Sequence, residues 1–324
     1  MPKVSVLVAV YNAAPFLPAC LDSLTGQSHR DIQVICIDDA STDDSLHILH
    51  DYAIRDNRIE VIHLEENGGQ AHARNCGLQR VNGDIVCMLD ADDWLSDNAL
   101  EKLAAAFDEQ TDCVLFDLVF DYADHEQPYP MPHFDVLTGK EAFQLSLTWK
   151  IHGLYGIRTA IHKQHPYDET CRSYSDDNTT RIHYLHARQV RRCAGVYHYR
   201  QHEASVTHHI SVHRFDYLRA NESMRRQMLA LQVDNALVAE YENHRWLNLV
   251  DVYMFYHVHG RKLTKAEREY GRQELRHVWA TIDRKALNKE TIIKFGYRPC
   301  RLWLLFRLQE WLYFTLRGLL GKNY

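Results

Sequence analysis

The sequence predicts an α/β protein with a doubly wound, mostly parallel sheet, followed by a C-terminal helical extension. Two observations predict this fold: apolar runs alternate with amphipathic segments through the first 120 residues, and this alternation has ended by residue 213. A short continuous apolar run is typical of a strand buried on both faces, as in parallel sheets. Apolar residues at every third or fourth position are typical of the helices that cover such a sheet.

The first half of the chain contains five apolar runs that predict strands, and a helix is predicted after each of the first four. The predicted strands are residues 3–10, 32–37, 59–64, 85–89 and 112–120. The predicted helices are residues 16–24, 41–54, 70–80 and 99–107. Further along, residues 121–133 contain three prolines and predict a surface loop, whereas residues 156–161 and 189–200 predict two more strands.

The composition is that of an ordinary globular protein, with 46% hydrophobic and 25% charged residues. A net charge of −6 disfavours a general nucleic-acid binder, which would usually be basic. The eight cysteines show no paired spacing, which favours a reducing compartment over a disulfide framework. The amino terminus leaves no room for a signal peptide, and no apolar run approaches the roughly 20 residues of a membrane span. We therefore expect a cytoplasmic protein that does not bind nucleic acid.

Three carboxylates follow the fourth predicted strand, in the sequence Leu89-Asp90-Ala91-Asp92-Asp93. Ligands of open α/β sheets bind beyond the carboxyl ends of the strands, and the two-residue period points Asp90 and Asp92 the same way. Two convergent carboxylates favour a cation between them, and Mg²⁺ or Mn²⁺ is commonly held by carboxylates together with phosphate oxygens. The sequence therefore indicates a site for a divalent metal and a phosphate ligand, unless these acids only cap the next helix.

Polar residues also follow the first two predicted strands, as Tyr11-Asn12 and Asp38-Asp39. An acid after the second strand can accept hydrogen bonds from a ribose or base, as it does in dinucleotide-binding folds. The glycine fingerprint of those folds is absent after the first strand, where Ala13-Ala14 stands instead. These segments therefore indicate a nucleotide site and disfavour a dinucleotide oxidoreductase.

Four segments of the first half resemble, in order, the successive motifs of family 2 glycosyltransferases: residues 4–12, 37–43, 67–75 and 89–93. The resemblance is strong to about residue 120, thinner to about residue 207 and absent beyond it. It implies a GT-A fold and an inverting transfer of a sugar from a nucleotide-sugar donor, with UDP as the expected nucleotide. It also implies a divalent ion, Mn²⁺ or Mg²⁺, which neutralises the charge on the departing diphosphate.

The resemblance carries roles over to individual residues of these motifs. The implied nucleotide-binding residues are Tyr11, Asp38, Asp39, Gly68, Arg74 and Asp90. Among them, Asp39 would hold the nucleobase, Asp38 would support that loop, and Arg74 would contact the base or the phosphates. The alternative for Arg74 is a solvated charge on a helix. Asp90 would also lie against the metal, which Asp92 would ligate.

The candidate catalytic base comes from an acidic pair, Asp176-Asp177, which precedes a helix predicted at residues 179–186. The family usually has Glu-Asp in this region, and its second acid acts as the base. An inverting transfer needs one carboxylate within hydrogen-bond reach of the acceptor hydroxyl. The resemblance therefore implies Asp177 as the base and Asp176 as the alternate, and helix capping is the competing interpretation.

A later segment, residues 199–208, is similar to the part of the family that closes over the diphosphate. The implied lid contacts are Arg200, His202 and Ser205. Imidazole is a common metal ligand, so His202 could also complete the metal shell.

The predicted domains follow from these motifs and from the loss of the strand pattern. Residues 1–212 are expected to form the GT-A glycosyltransferase domain, with a nucleotide-binding half at 1–120 and an acceptor half at 121–212. Residues 213–324 are expected to form the helical extension, because helical spacing recurs there without strand patterning. The predicted helices of the extension include residues 218–242, 246–258 and 265–282.

The last predicted helix carries an apolar stripe, and this C-terminal stripe consists of Leu304, Leu305, Leu308, Trp311, Leu312, Leu316 and Leu319. Packing against the preceding helices or against a second subunit is the preferred interpretation. The alternative is a helix that lies in the membrane interface, with Trp303, Trp311 and Tyr313 at headgroup level. The charges of Arg307, Glu310 and Arg317 rule against a membrane span.

The expected function is an inverting, metal-dependent glycosyltransferase of the hexosyl- or N-acetylhexosaminyltransferase class in surface polysaccharide or glycoconjugate assembly. Its expected partners are a nucleotide-sugar donor, a saccharide or lipid-linked acceptor, and either a second copy of the chain or the inner face of the cell membrane. A sugar nucleotidyltransferase is one alternative, although its glycine-rich basic loop is missing at residues 11–15. A non-catalytic nucleotide-binding subunit is the other, and the intact carboxylates of the motifs argue against it.

Overall fold

The computed structural model describes residues 1–171, 173–174, 176–202 and 210–322 of the chain. It divides into two compact units, of which the first comprises Met1–Arg172 and Thr179–Val206 and the second comprises Ser173–Asn178 and Thr207–Tyr324. The first unit is built on one sheet, and the second is helical.

One sheet forms the centre of the first unit. Its strands, in chain order, are β1 (Val4–Val10), β2 (Ile32–Asp38), β3 (Ile59–His63), β4 (Ile85–Met88), β5 (Trp94–Leu95), β6 (Thr111–Asp121), β7 (Glu126–Pro128), β8 (Val136–Thr138), β9 (Tyr155–Arg158) and β10 (Gln189–Arg200). The helices up to residue 186 are α1 (Leu17–Thr25), α2 (Ser45–Arg55), α3 (Gln70–Leu78), α4 (Ala99–Ala105), α5 (Gly139–Leu147), α6 (Thr159–Gln164) and α7 (Asp176–His186). The strand order is β3-β2-β1-β4-β9-β6-β10-β5, with β7 paired to β6 and β8 paired to β10.

The apolar runs of the sequence form the parallel half of this sheet. Every residue of β2 and six of the seven residues of β1 are buried. Such strands need cover on both faces, and helices provide it in parallel α/β folds. β1 pairs in parallel with β2 and β4, and β2 pairs in parallel with β3. The predicted α/β fold with a mostly parallel sheet is confirmed.

The carboxyl ends of β1, β2 and β4 meet at one edge of the sheet. Val10, the last residue of β1, is in register with Asp38, the last residue of β2. Met88, the last residue of β4, is in register with Leu7 of β1. The polar segments that follow these strands therefore begin close together, at the edge where open α/β sheets bind their ligands.

Two local predictions in the first unit are wrong. The strand predicted at residues 156–161 ends at Arg158, and α6 begins at Thr159. The strand ends there because its neighbour β4 begins at Ile85, which is in register with Arg158, so the ladder goes no further. The Arg158 guanidinium donates to the backbone carbonyl of Asp108 at 2.7 Å, and the Thr159 hydroxyl donates to that of Gly83 at 2.7 Å. The loop predicted at residues 121–133 contains β7, because a tight turn folds the chain back onto β6.

The second unit is held together by aromatic side chains. Its helices are α8 (Asp216–Ala230), α9 (Asn235–His259), α10 (Lys265–Thr281), α11 (Lys289–Ile292) and α12 (Trp303–Leu319). Trp246 and Phe306 are fully buried, and their ring centroids are 5.5 Å apart. The predicted helical C-terminal region is confirmed. In the described part of the chain, no helix has both the length and the apolar character needed to cross a membrane.

The helix boundary predicted between residues 242 and 246 is wrong. α9 continues through this segment, because its polar side chains are buried as ion-pair partners and do not mark a helix end. Arg245 is fully buried and donates to Glu242 at 2.8 Å. The break between helices lies earlier, where Gln232 has a φ of +54° and the Asp234 side chain caps α9 by accepting from a backbone amide.

The inward face of α12 is aromatic, and the C-terminal stripe is exposed. Phe306, Glu310 and Phe314 are at most 1% exposed, whereas Leu308 is 61% exposed and Leu319 is 80% exposed. Aromatic rings bury more surface than leucine side chains, so the aromatic side of the helix is the one that packs. The prediction that the stripe packs against the preceding helices is therefore wrong. Its contact with a second subunit stays a prediction.

Glu310 makes the stability of the second unit depend on pH. Burial raises the pKa of its carboxyl from 4.5 to about 8, so the folded chain keeps a proton that the unfolded chain loses between these values. The stabilisation from this proton is fully present below the unfolded pKa of 4.5 and is lost as the pH rises to about 8. The loss amounts to at most about 1.4 kcal/mol per pH unit.

We expect Glu310→Gln to remove this dependence on pH. Between about pH 5 and 8, the melting temperature of the parent should fall relative to that of Glu310→Gln, which has no proton to lose. Thermal melting of both proteins across this range measures the effect. Glu290→Gln, at an exposed acid of α11, is the matched control. A difference that stays constant over the range would contradict the raised pKa of Glu310.

Candidate active site

The candidate site lies where the sequence motifs meet, at the carboxyl edge of β1, β2 and β4. The first link joins Asn12, just after β1, to the loop after β2. The Asn12 side-chain oxygen accepts from the backbone amide of Thr42 at 2.7 Å, and the backbone amide of Asn12 donates to the Ser41 hydroxyl at 3.0 Å. Asn12 has a φ of +51°, a conformation that asparagine adopts more readily than most residues.

Asp39 joins the second motif to the third. Its carboxylate accepts hydrogen bonds from the backbone amides of Gly68 and Gly69, both at 2.8 Å, and its side chain is nearly buried. Gly69 has a φ of +88° directly before α3, a conformation that favours glycine. A Cβ atom at Gly68 would lie 2.4 Å from the His72 ring, so any side chain there would displace this ring.

Asp38 and Tyr11 also lie at this edge, where Asp38 is buried and Tyr11 is exposed. Asp38 is fully buried, its Oδ2 lies 2.8 Å from Nδ1 of His63, and the same oxygen accepts from the Ser41 amide at 3.4 Å. These contacts hold the loop after β2. Tyr11, the first residue after β1, is 53% exposed.

Arg74 and Gln70, both on α3, join the third motif to the fourth. Nη2 of Arg74 donates to Oδ1 of Asp90 at 2.6 Å, and Nε2 of Gln70 donates to the same oxygen at 3.0 Å. Arg74 is 1% exposed, and its guanidinium lies 5.3 Å from the centre of the Tyr167 ring. Arg74 is therefore a buried ion-pair partner and not a solvated helix charge.

Asp92 joins the fourth motif to the end of β10. Nε2 of His202 lies 2.9 Å from Oδ2 of Asp92, and Nε of Arg200 donates to the Asp92 backbone carbonyl at 2.8 Å. The His202 ring stacks on Phe16 at 4.5 Å, and the Arg200 guanidinium lies 4.6 Å from the centre of the Trp94 ring. The Asp92 side chain is still 37% exposed, so a ligand can reach its carboxylate.

Asp93 belongs to the same network, although the sequence predicted no role for it. The Tyr197 hydroxyl donates to Oδ2 of Asp93 at 2.9 Å and accepts from the Asp90 amide at 3.0 Å, while the Arg200 amide donates to Oδ1 of Asp93 at 2.8 Å. Burial and the neighbouring carboxylates of Asp90 and Asp92 raise the pKa of Asp93 to about 9. The sequence signal is the two-residue period itself, which turns Asp93 away from the ligand side and into the protein.

Three predicted site residues remain: Asp176, Asp177 and Ser205. Asp176 and Asp177 begin α7, and both are partly exposed. Carboxylates in the first turn of a helix interact favourably with the helix dipole, so the interpretation as a cap and the interpretation as a base both stay predictions. Ser205 lies outside the described residues.

Asp90, Asp92 and His202 are the residues that could hold a divalent ion. Within the described ranges, no group of three or more His, Cys, Asp or Glu side chains is arranged to bind a metal by itself. Mg²⁺ and Mn²⁺ suit sites with few protein ligands, because phosphate oxygens and water complete their shells. The donor chemistry of two carboxylates and an imidazole therefore fits an ion that binds together with a diphosphate.

The sequence of this chain is similar to those of known proteins. Residues 5–166, half of the chain, match the profile of Glycosyl transferase family 2. Glycosyltransferase GlyG of Streptococcus pneumoniae is 33% identical over 119 residues, which are 37% of this chain and 40% of that relative. The poly(ribitol-phosphate) beta-glucosyltransferase of Bacillus spizizenii is 37% identical over 101 residues, which are 30% of this chain and 16% of that relative. The matches thus span less than half of the length of these relatives.

The fold is similar to that of a solved glycosyltransferase structure. S. aureus TarS 1–349 in complex with UDP-GlcNAc has a TM-score of 0.75 and 21% identity to this chain, over 99% of this chain and 92% of that chain. The residues covered include those of the sheet and those of the helical C-terminal region. The predicted GT-A fold is confirmed.

Proposed function

The chain belongs to glycosyltransferase family 2, and on that premise we propose that it transfers a hexose or N-acetylhexosamine from a UDP-sugar to a saccharide or glycoconjugate acceptor, with inversion at the anomeric carbon. Family membership decides against a sugar nucleotidyltransferase. We assign the transfer to a domain of residues 1–212, and we assign location or assembly to the helical extension of residues 213–324.

One observation carries the proposal: polar links join each motif at the edge of the sheet to the next. These links join Asn12 to Thr42, Asp39 to Gly68, Arg74 to Asp90, and Asp92 to His202. A site held in this way needs little reorganisation when a charged ligand binds, and such preorganisation is the main source of electrostatic catalysis. The complex of TarS with UDP-GlcNAc supports a uridine nucleotide as the donor's leaving group.

We assign the nucleoside end of the donor to Asp39, Tyr11 and Gly68. Each Asp39 oxygen accepts one glycine amide, and a carboxylate oxygen has a second lone pair that can accept the imide N–H of uracil. The exposed ring of Tyr11 offers a stacking surface for the base. Asp38 is turned into the core and acts as the support of this loop.

We assign the diphosphate end of the donor to Asp90, Asp92 and His202, as ligands of Mn²⁺ or Mg²⁺. When bound, this ion would neutralise the charge that develops on the leaving diphosphate. The guanidinium of Arg200, which is bonded to the Asp92 carbonyl, adds a fixed positive charge at this end. The buried guanidinium of Arg74 keeps Asp90 oriented through its 2.6 Å ion pair.

We assign the general base to Asp177, with Asp176 as the alternate. In the transfer, the acceptor oxygen forms a bond to the anomeric carbon while the bond from that carbon to the diphosphate breaks. The hydroxyl proton of the acceptor passes to the carboxylate of Asp177. A base of this kind contributes only when the acceptor hydroxyl lies within hydrogen-bond reach, so its effect falls on turnover and not on donor binding.

The acceptor we propose is a saccharide or lipid-linked glycoconjugate of surface polysaccharide assembly. A relative whose name states that it glucosylates poly(ribitol-phosphate) supports this class of acceptor. The corresponding location is cytoplasmic, with peripheral contact at the inner face of the cell membrane.

Titration calorimetry with UDP, GDP and ADP, in Mn²⁺ and in EDTA, tests the proposal. UDP should bind at least about tenfold more tightly than GDP or ADP, a difference of about 1.4 kcal/mol, and more tightly in Mn²⁺ than in EDTA. UDP-sugars should then compete with UDP for the same site. Equal affinity for the three nucleotides would overturn the UDP assignment, and equal UDP affinity in Mn²⁺ and EDTA would overturn the metal assignment.

A further inference from the structure

The outward side of α12 is an exposed apolar surface. Within the C-terminal stripe, exposure ranges from 42% at Leu312 to 80% at Leu319. At 100° per residue, the stripe covers an arc of about 140°, which is as wide as the face that an amphipathic helix normally buries. Contiguous exposed apolar patches of this kind mark interaction surfaces in proteins.

The apolar surface continues into the segment before α12. Ile293 is 69% exposed and Phe295 is 50% exposed. Gly296, with a φ of +86°, lies against the ring of Tyr313, where a Cβ atom would approach to 2.4 Å. The rings of Phe295 and Tyr313 are 5.8 Å apart, so this segment is fixed next to the helix. We call the C-terminal stripe together with Ile293 and Phe295 the C-terminal apolar face.

The segment that carries this face is rich in cations. Residues 293–322 contain six cationic side chains and only one acid, Glu310, in a chain whose net charge is −6. The cations are Lys294, Arg298, Arg301, Arg307, Arg317 and Lys322. Glu310 is fully buried on the inward side of α12, where burial raises its pKa to about 8. The charges that this segment exposes are therefore positive at neutral pH.

Two partners could cover this apolar face: a second copy of the chain or a lipid surface. The cations beside the face favour the lipid surface. In a two-fold contact with a second copy, each face would meet the same face, so its cations would lie opposite like charges. An anionic lipid surface offers phosphates at the level of the cations and acyl chains at the level of the leucines. Trp311, which is 54% exposed within the stripe, is of the residue type that sits at the boundary between them.

We propose that the C-terminal apolar face docks on an anionic lipid bilayer, with α12 lying in the plane of the interface. The leucines of the stripe enter the boundary between headgroups and acyl chains, and Arg298, Arg301 and Lys294 pair with lipid phosphates. The proposal rests on the second unit alone and does not depend on the identity of the donor.

Co-sedimentation with vesicles tests the docking. The parent chain should bind vesicles that contain phosphatidylglycerol at low salt, bind phosphatidylcholine vesicles weakly, and lose binding as salt is added. The double variant Leu308→Ser and Leu312→Ser should lower the affinity for phosphatidylglycerol vesicles by at least about tenfold. Its melting temperature should fall far less than the loss of two fully buried leucines would cause, because Leu308 and Leu312 are 61% and 42% exposed.

A matched control is available in the same unit. Leu229 and Leu231, at the end of α8, are 47% and 42% exposed, and their double change to Ser should leave vesicle binding unchanged. Arg298→Gln and Arg301→Gln together should weaken binding to phosphatidylglycerol vesicles by about fivefold for each charge and reduce its dependence on salt.

Three results would overturn the proposal. The first is a parent chain that fails to bind phosphatidylglycerol vesicles at low salt. The second is equal binding to phosphatidylcholine vesicles, which would remove the role of the cations. The third is a parent that light scattering shows to be a dimer and a Leu308→Ser and Leu312→Ser variant that is a monomer, since the face would then be a subunit interface.

Discussion

Replacing Asp177 with asparagine is expected to lower turnover by about 10²–10⁴-fold, the usual contribution of a positioned general base. Asparagine keeps the shape of the side chain, but it cannot take the proton of the acceptor hydroxyl. The dissociation constant of UDP should stay nearly unchanged, because the residues proposed to bind the nucleotide belong to other motifs. Release of UDP from the UDP-sugar measures turnover, and calorimetry with UDP measures donor binding.

Asp176→Asn is the matched control, because it removes the neighbouring carboxylate from the same helical turn. If the pair only stabilises the start of α7, each variant should lose roughly 0.3–1 kcal/mol of stability and little turnover. A loss of turnover confined to Asp176→Asn would move the base to the other member of the pair. A loss in neither variant would remove both residues from the chemistry.

The parallel half of the sheet is predictable because each of its strands carries its signal within its own residues. β2 is buried along its whole length, and a nearly continuous apolar run of this length favours a strand covered on both faces. The position of the motif that follows β2 is also predictable. Asp39 reaches the Gly68-Gly69 turn only because both follow parallel neighbours, and parallel neighbours end at the same edge.

The contacts that complete the site were not predictable, because they join residues that are far apart in the chain. The Tyr197 hydroxyl bonds to Asp93 across 104 residues, and His202 meets Asp92 across 110 residues. No local pattern in either segment encodes its partner. The resemblance supplied His202, and the two-residue period turns Asp93 inward, but nothing in the sequence identifies Tyr197 as the partner of Asp93.

In the second unit, the periodicity of the sequence predicts helices but not which side of a helix packs. α12 is apolar on two sides, one aromatic and one rich in leucine, and the hydrophobic pattern alone favoured the leucines. The rings of Trp246 and Tyr253 lie 5.5 and 5.7 Å from the ring of Phe306, so aromatic packing decided the orientation. The helix boundary predicted within α9 was wrong for a related reason. Polar residues suggested a helix end there, but Arg245 is buried in an ion pair with Glu242.

Replacing Asp92 with asparagine is expected to weaken UDP binding by at least about tenfold in Mn²⁺ and to change it little in EDTA. Asparagine keeps the volume of the side chain and an oxygen that can still accept from His202 at the present 2.9 Å contact. It removes only the negative charge that would attract the ion. Calorimetry with UDP in the two conditions separates the loss of a metal ligand from a general disturbance of the site.

Asp97→Asn provides the matched control for this prediction, because Asp97 is an exposed acid only five residues along the chain. It removes the same charge from the same region, so any loss of affinity that arises from the general electrostatic field should appear in both variants. A loss specific to Asp92→Asn and to Mn²⁺ would be the effect of direct ligation. Equal losses in Mn²⁺ and EDTA would mean that Asp92 contacts the nucleotide or shapes the loop and does not ligate the ion. Because the Asp92 carboxylate is accessible while Asp93 is buried beside it, Asp92 and not Asp93 presents its charge to the ligand.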